Sequence, residues 1–280
     1  MKENLIGMFD SGLGGLSVLK ALMAMVPGVP AIFVADQRYC PYGTLSDQLI
    51  LNRSRAICDW LTAQGATQIV VACNTATSVA IESLRAHCSV PVTGIEPAIK
   101  PAAARTLTGN IAVLATAATL RTERYHSLTD RYGRSVTLHA VTPEGWVEAV
   151  ENNLTDDNTR RRYVARVLQP LLEEGVDQLV LGCTHYPFLR PFLEELVPAG
   201  VVIHDPAPAV ISRAVSLMHQ PVALTVSEGE KYRFCTTGSA SEMQKALRRL
   251  LGLNGVVQGL SDLTTRSDSF AVQSGITCQR

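Results

Sequence analysis

Residues 65–75 read Gly-Ala-Thr-Gln-Ile-Val-Val-Ala-Cys-Asn-Thr, and residues 175–185 read Gly-Val-Asp-Gln-Leu-Val-Leu-Gly-Cys-Thr-His. Gly65 and Gly175, Gln68 and Gln178, Val70 and Val180, and Cys73 and Cys183 match at one offset, 175 − 65 = 110. Each copy is a short apolar run rich in β-branched residues, the composition of a buried parallel strand. The glycine before each run ends an expected helix in which Leu61 and Leu171 hold matching places. Each run delivers a cysteine at the strand's carboxyl end, followed by hydroxyl or polar residues that suit a helix start. Ligands of open α/β sheets bind along that edge. The repeat therefore predicts two related half-chains, each presenting one thiol where chemistry is normally done.

Strand and helix signals alternate outward from the repeat. Residues 4–9 read as a first strand closed by the turn Asp10-Ser11-Gly12-Leu13-Gly14-Gly15, with a helix running to Pro27. Ala31–Ala35 is the next strand, ending at Asp36, before an irregular loop over 37–44 that contains Cys40, Pro41, Tyr42 and Gly43. Helices over 46–63 and 75–87 flank the Cys73 strand, and Val90–Ile95 closes the half. The pattern restarts at Asn110–Ala115, continues through Val136–Val141, helices near 146–152 and 158–173 and the Cys183 strand, and ends at Val201–Ala207. A helix over 207–218, a strand at Tyr232–Thr236 and a helix over 241–251 are expected to return to the first half. The fold class is α/β, with two pseudo-symmetric, doubly wound domains, mostly parallel sheets and a site between them. The expected domains are 1–97 plus 208–255, and 98–207, followed by a polar, weakly patterned and mobile tail over 256–280.

Composition narrows the class. Hydrophobic residues make up 46% of the chain of 280 and charged residues 18%, so a large core is available and wholesale disorder is excluded. Lys+Arg and Asp+Glu both number 25, which leaves no electrostatic footprint for nucleic acid or an anionic membrane. No apolar run approaches the roughly 20 residues that span a bilayer. The sequence enters its first strand almost at once, leaving no room for a signal peptide. Seven scattered cysteines suggest no disulfide framework, and a reducing, cytoplasmic setting follows.

Two thiols in duplicated surroundings point to one reaction in particular. A free cysteine has a pKa of roughly 8.5, lowered at a helix N-terminus, so Cys73 and Cys183 are both expected to be poised near neutral pH. One thiolate can remove a proton from a carbon while the other thiol delivers one to the opposite face, inverting the centre. A strand-end cysteine is ordinarily a small buried hydrophobe, and Cys40, Cys58, Cys88, Cys235 and Cys278 are read that way. Packing alone does not require a thiol twice at the same place. A metal site at Cys183 and His185 lacks further ligand spacing, and a redox disulfide lacks the CxxC signature. The Gly12-x-Gly14-Gly15 turn mimics a dinucleotide fingerprint, but Ser17 stands where the third glycine belongs. A helix N-terminus holding a substrate carboxylate or ammonium is the favoured reading of that turn.

Asp10-Ser11-Gly12-Leu13-Gly14-Gly15, Pro41-Tyr42-Gly43, Ala72-Cys73-Asn74-Thr75-Ala76 and Gly182-Cys183-Thr184-His185-Tyr186-Pro187 resemble the glutamate racemases of the aspartate/glutamate racemase family. The resemblance runs from about residue 5 to 252. It implies a cofactor-independent isomerase, using neither pyridoxal phosphate nor metal, that makes D-glutamate for peptidoglycan. Carried over by motif, Cys73 would act on the proton of D-glutamate and Cys183 on that of L-glutamate. Asp10 and His185 would assist, and Glu151, a looser match, would be a further acidic residue near the second thiol. Ser11, Pro41, Tyr42, Gly43, Asn74, Thr75 and Thr184 would hold substrate, with Thr116 and Thr119 close by, while the role of Asp36 stays open. The implied partner is L- or D-glutamate, with no nucleic acid or membrane and with a homodimer left open. Cys40 beside the substrate loop and the glycine-poor turn Leu114-Ala115-Thr116-Ala117 depart from the family pattern. The start so close to the first strand argues against activation by a peptidoglycan-precursor nucleotide. Alternatives are a racemase of aspartate or another amino acid, a dinucleotide-binding oxidoreductase, and a non-catalytic regulatory binding protein.

Overall fold

Four strands of each half run in the same permuted order. The computed structural model describes residues 4–152, 156–218, 231–261 and 263. The first half contributes β1 (Ile6–Asp10), β2 (Ala31–Ala35), β3 (Gln68–Val71) and β4 (Val92–Gly94). The second contributes β5 (Asn110–Ala115), β6 (Thr137–Val141), β7 (Gln178–Gly182) and β8 (Val202–His204). Later residues add β9 (Tyr232–Thr236) and β10 (Val257–Gly259). The six-stranded sheet is ordered β10-β9-β2-β1-β3-β4 and the four-stranded sheet β6-β5-β7-β8. Every pairing is parallel. The chain is a two-domain α/β protein, and its halves share one topology.

That order fixes where a ligand can sit. From β1 the chain crosses to β2 on one side and then returns to β3 on the other, so the connections leaving β1 and β3 diverge and open a crevice between their carboxyl ends. Asp10 and Ser11 follow from β1, and Cys73 from β3. In the second sheet the corresponding pair is β5 and β7, which lead into Thr116 and Cys183.

Alternation along the central strands builds a core on each face. In β1, Ile6 and Met8 pack with Leu16, Leu19 and Leu22 of the helix Leu16–Met25, while Phe9 faces Ile50, Ile57 and Leu61 of the helix Asp47–Ala63. Val210, Ile211 and Ala214 of the helix Ala207–Ser216 join the first of these cores. Trp146, Leu168, Leu179 and Leu181 form one core of the second sheet, and Ile111, Val113 and Val180 another. Phe188 and Leu250 pack against cores of both lobes, and Arg249 Nη2 donates to the Val150 carbonyl at 2.6 Å.

Three features differ from the sequence expectation. The helix Glu123–Tyr132 buries only Tyr125, so its apolar period is too weak to read; it stands on the Thr122 cap and on Arg124 pairing with Glu82 and Glu96. The helix Arg190–Leu196 after Cys183 is equally short of signal, with Leu193 its one buried residue. Residues 257–259, expected within the tail, pair with β9 and lengthen the first sheet. Most of the expected mobile tail lies outside the described residues.

Candidate active site

Cys73 is the N-cap of the helix Asn74–His87, and its Sγ accepts the Ala76 N–H at 3.4 Å. The same sulfur stands 3.7 Å from Ser11 Oγ. The thiol is nevertheless not poised near neutrality. Burial, and then the charge of Asp10, push its pKa far up, and the hydrogen bonds from Ala76 and Ser11 offset this only in part. The expectation of a lowered pKa fails at Cys73 because desolvation outweighs one capping interaction. Asp10 is fully buried and raised above its ordinary carboxyl value by that burial, with His185, Cys73 and the Gly15 N–H pulling the other way.

Cys183 starts no α-helix. A 3₁₀ turn, Tyr186–Leu189, follows it, and its sulfur faces His185 Nδ1 at 3.5 Å instead of backbone N–H groups. His185 Nε2 lies 2.6 Å from Glu151 Oε1, which also accepts the Leu13 N–H at 2.6 Å. Burial opposes a charge on His185, yet the bonds to Cys183 and Glu151 prevail and raise its pKa well above the imidazole value. Burial likewise opposes the charge of Glu151, but His185, Leu13 and Cys40 together hold its carboxyl below the usual range. The second thiol is thus backed by an imidazolium and a carboxylate.

The glycine turn receives this pair. A Cβ on Gly12 would stand 2.1 Å from Glu151 Oε1, and one on Gly14 would stand 2.5 Å from His185 Nδ1 and Thr184 Oγ1. Two of the chain's own carboxylates take the N–H groups of this turn, Asp10 Oδ2 accepting from Gly15 at the helix N-cap and Glu151 Oε1 from Leu13. Side chains of the second lobe fill the place a dinucleotide pyrophosphate would need.

One cavity lies between the lobes, lined by Ser11, Pro41, Tyr42, Gly43, Cys73, Asn74, Thr75, Thr116, Val147, Gly182, Cys183, Thr184 and His185. Both thiols therefore reach one space. Its free volume is about 20 Å³, enough for a single water and too little for an amino acid. Binding must part the lobes, which touch through Thr184 Oγ1 on Asp10 Oδ2 at 3.1 Å and Thr75 Oγ1 beside Thr116 Oγ1 at 3.1 Å. Thr119 Oγ1 completes a hydroxyl triad with these two threonines, 3.3 Å from Thr75 and 3.0 Å from Thr116. Asn74 is buried, and among the described residues neither atom of its amide has a hydrogen-bond partner. A buried, unpaired amide lining a cavity is a vacancy for ligand hydrogen bonds.

The sequence profile of the Asp/Glu/hydantoin racemase family matches residues 6–214. The chain belongs to that family. It is 40% identical over 248 residues to a glutamate racemase of Pseudomonas paraeruginosa, covering 88% of this chain and 94% of that one. Its structure superposes on a glutamate racemase isoform of Bacillus anthracis with a TM-score of 0.82 at 30% identity, covering 95% of this chain and all of the other. The Escherichia coli glutamate racemase, solved with L-glutamate and the activator UDP-MurNAc-Ala, gives a TM-score of 0.81 at 29% identity over 92% of this chain and 97% of that one. As a member of this family the protein is an isomerase of the racemase class.

Within this racemase, Asp10, Thr119 and Glu151 stand behind the cavity wall rather than on it, each bonded to a lining residue. Asp36, whose role the motif left open, is a buried support. It accepts from Tyr42 OH at 2.6 Å, from Arg53 at 2.9 and 3.0 Å, and from Thr237 Oγ1 at 2.7 Å. Asp36 therefore fixes Tyr42 in the wall. Val147 and Gly182 line the cavity without having been singled out. Val147 shares a helix face with Glu151, four residues on, and Gly182 has no room for a side chain beside Ala115; both signals were present in the sequence.

Proposed function

We propose that the protein interconverts L- and D-glutamate by two-base proton transfer at Cα, using the Cys73 and Cys183 thiols and no cofactor. The observation that supports this most directly is the pair of sulfurs at equivalent switch points of two like-ordered sheets, sharing one cavity. Glutamate as substrate rests on the relatives, which are glutamate racemases. Among the described residues no lysine or arginine lines the cavity, so the substrate's carboxylates take the neutral donors of Asn74, Thr75, Thr116 and Ser11, with Thr119 steadying Thr75 and Thr116 from behind. Tyr42, Gly43 and Pro41 form the facing wall.

The two thiols differ in their surroundings. His185 Nδ1 faces the Cys183 sulfur at 3.5 Å and can steady charge developing there, whereas burial raises the Cys73 pKa and favours its thiol form. From L-glutamate, Cys183 takes the Cα proton, and Cys73 delivers its own to the opposite face. The products are D-glutamate, a Cys183 thiol and a Cys73 thiolate. Asp10 beside Cys73, and His185 beside Cys183, return the pair to its starting state through solvent. Charge developing on the substrate meets fixed hydrogen-bond donors in a closed, nearly dry cavity.

The wider setting belongs to the same proposal. The lobes correspond to 1–97 with 208–255, and to 98–207. The enzyme works in the cytoplasm, supplying D-glutamate for peptidoglycan. No described helix is long and apolar enough to cross a membrane. Chiral analysis of purified protein incubated with L-glutamate alone tests the activity. D-glutamate should accumulate to an equal mixture, and neither Cys73→Ser nor Cys183→Ser should produce it. Either variant at full rate, or no D-glutamate from the parent, overturns the assignment.

A further inference from the structure

Cys40 is the one cysteine beside the site that the proposed reaction does not use. Its sulfur stands over Gly12, where an added Cβ would lie 2.7 Å from Cys40 Sγ and 2.1 Å from Glu151 Oε1. Ligand atoms of Cys40, Glu151 and His185 all lie within 4.8 Å of one another, the tightest pair being His185 Nε2 and Glu151 Oε1 at 2.6 Å. Around a tetrahedral zinc ion, ligand atoms held at 2.0–2.3 Å from the metal lie roughly 3.3–3.8 Å apart. The cluster brackets that spacing, so small side-chain shifts bring three donors to one point.

We propose that Cys40, Glu151 and His185 form an inhibitory site for a zinc-class divalent cation, distinct from the pair of catalytic thiols. The donor set is one sulfur, one imidazole nitrogen and one carboxylate oxygen, all ligands that zinc accepts, with a fourth position for water. Charge also balances: a thiolate and a carboxylate cancel the ion's two positive charges, which suits a largely buried place. Binding releases the Cys40 thiol proton and the His185 Nε2 proton to solvent, while Nδ1 keeps its side toward Cys183. Cys40 and Glu151 are only partly buried, which leaves the ion a way in. Once bound, the ion removes His185 from proton transfer and Glu151 from its support. The inhibition rests on the racemase reading above, whereas the binding does not.

The test uses the intact protein, with Co²⁺ as a spectroscopic probe and Zn²⁺ as the inhibitor. The parent should take up a single Co²⁺ per chain with a near-ultraviolet thiolate-to-metal band. Cys40→Ala should lose the band and weaken binding by more than ~100-fold, beyond the roughly 10–100-fold that loss of an outer partner costs. The same variant should become insensitive to zinc, racemising at one rate with the ion present or absent. The proposal is overturned if the parent takes up no stoichiometric metal, or if Cys40→Ala binds Co²⁺ as tightly as the parent. A protein that binds Co²⁺ through Cys40 yet turns over no glutamate would keep the site and lose the racemase reading.

Discussion

Thr184 Oγ1 donates to Asp10 Oδ2 at 3.1 Å, so the residue after one thiol is tied to the carboxylate that flanks the other. This bond crosses between the lobes, and Ser17 Oγ crosses beside it to the Thr184 carbonyl at 2.9 Å. The two halves of the proton-transfer machinery are held in one frame by direct contact as well as by the fold. Replacing Thr184 with Val keeps the shape and removes a donor from a buried carboxylate. A buried acceptor that loses its partner costs about 1–3 kcal/mol. Thermal unfolding should show a lower Tm in Thr184→Val, and an unchanged Tm would mean the bond carries no weight.

The Glu151–His185 pair should govern the alkaline limb of the pH–rate profile. Glu151 raises the His185 pKa, so Glu151→Gln lowers it, and the imidazolium is lost at a lower pH than in the parent. The alkaline fall in kcat/KM should therefore move to lower pH, with kcat down by about 10²-fold, the lower end of general acid–base contributions. Stability follows the same signs. The raised His185 pKa contributes stability that is full below the unfolded imidazole pKa and is lost as pH rises through the folded one. The lowered Glu151 pKa contributes stability present above the unfolded carboxyl pKa and lost as pH falls through the folded one. Titration of the His185 ring by NMR in parent and variant checks the direction.

Asn74 should show function opposed to stability. Its amide atoms are buried without partners, so Asn74→Leu removes an unmet polar group and should raise stability by about 1 kcal/mol. The same change deletes two hydrogen bonds to substrate and should raise KM by at least ~10-fold, on the scale of 1.4 kcal/mol per decade. Denaturant unfolding paired with substrate saturation curves would decide this. A destabilised variant of normal KM would show Asn74 to be structural.

Much of this arrangement was legible in the sequence, and the illegible part has a common cause. The 110-residue offset placed both cysteines on strand ends, because a strand that must be buried on both faces carries its own composition. Contacts that depend on closure of the lobes left no such trace. Leu13 meets Glu151 across 138 positions, and Asp10 meets Thr184 across 174. The Cys73 pKa departs from the expectation because a helix start can be read locally, whereas the desolvation that outweighs it comes from tertiary packing and the nearby Asp10. Helix Glu123–Tyr132 escaped notice because ion pairs and a cap, rather than an apolar stripe, stabilise it.

Arg53 and Asp36 supply a test of the wall behind Tyr42. Arg53→Met leaves the Asp36 carboxylate buried without its cation, a loss of about 3–5 kcal/mol for pairs of this kind. The Tm should fall by several degrees, and KM should rise as Tyr42 loses a fixed partner. Asp36→Asn, which can still accept from Tyr42, should recover part of the KM.

Gly12 and Gly259 make a matched pair for the glycine turn. A methyl on Gly12 would overlap Glu151, whereas one on Gly259 meets nothing within 4 Å. Gly12→Ala should cut kcat by about 10²-fold through displacement of Glu151 and His185, and Gly259→Ala should leave the rate unchanged.

The central claim is that separate bases serve the two faces of Cα, and solvent isotope reads that directly. L-glutamate incubated with the enzyme in D₂O should give D-glutamate deuterated at Cα from the first turnovers, while the remaining L-glutamate stays protiated. Deuterium appearing equally early in the unreacted L-glutamate, or D-glutamate that retains its original hydrogen, would contradict two separate bases.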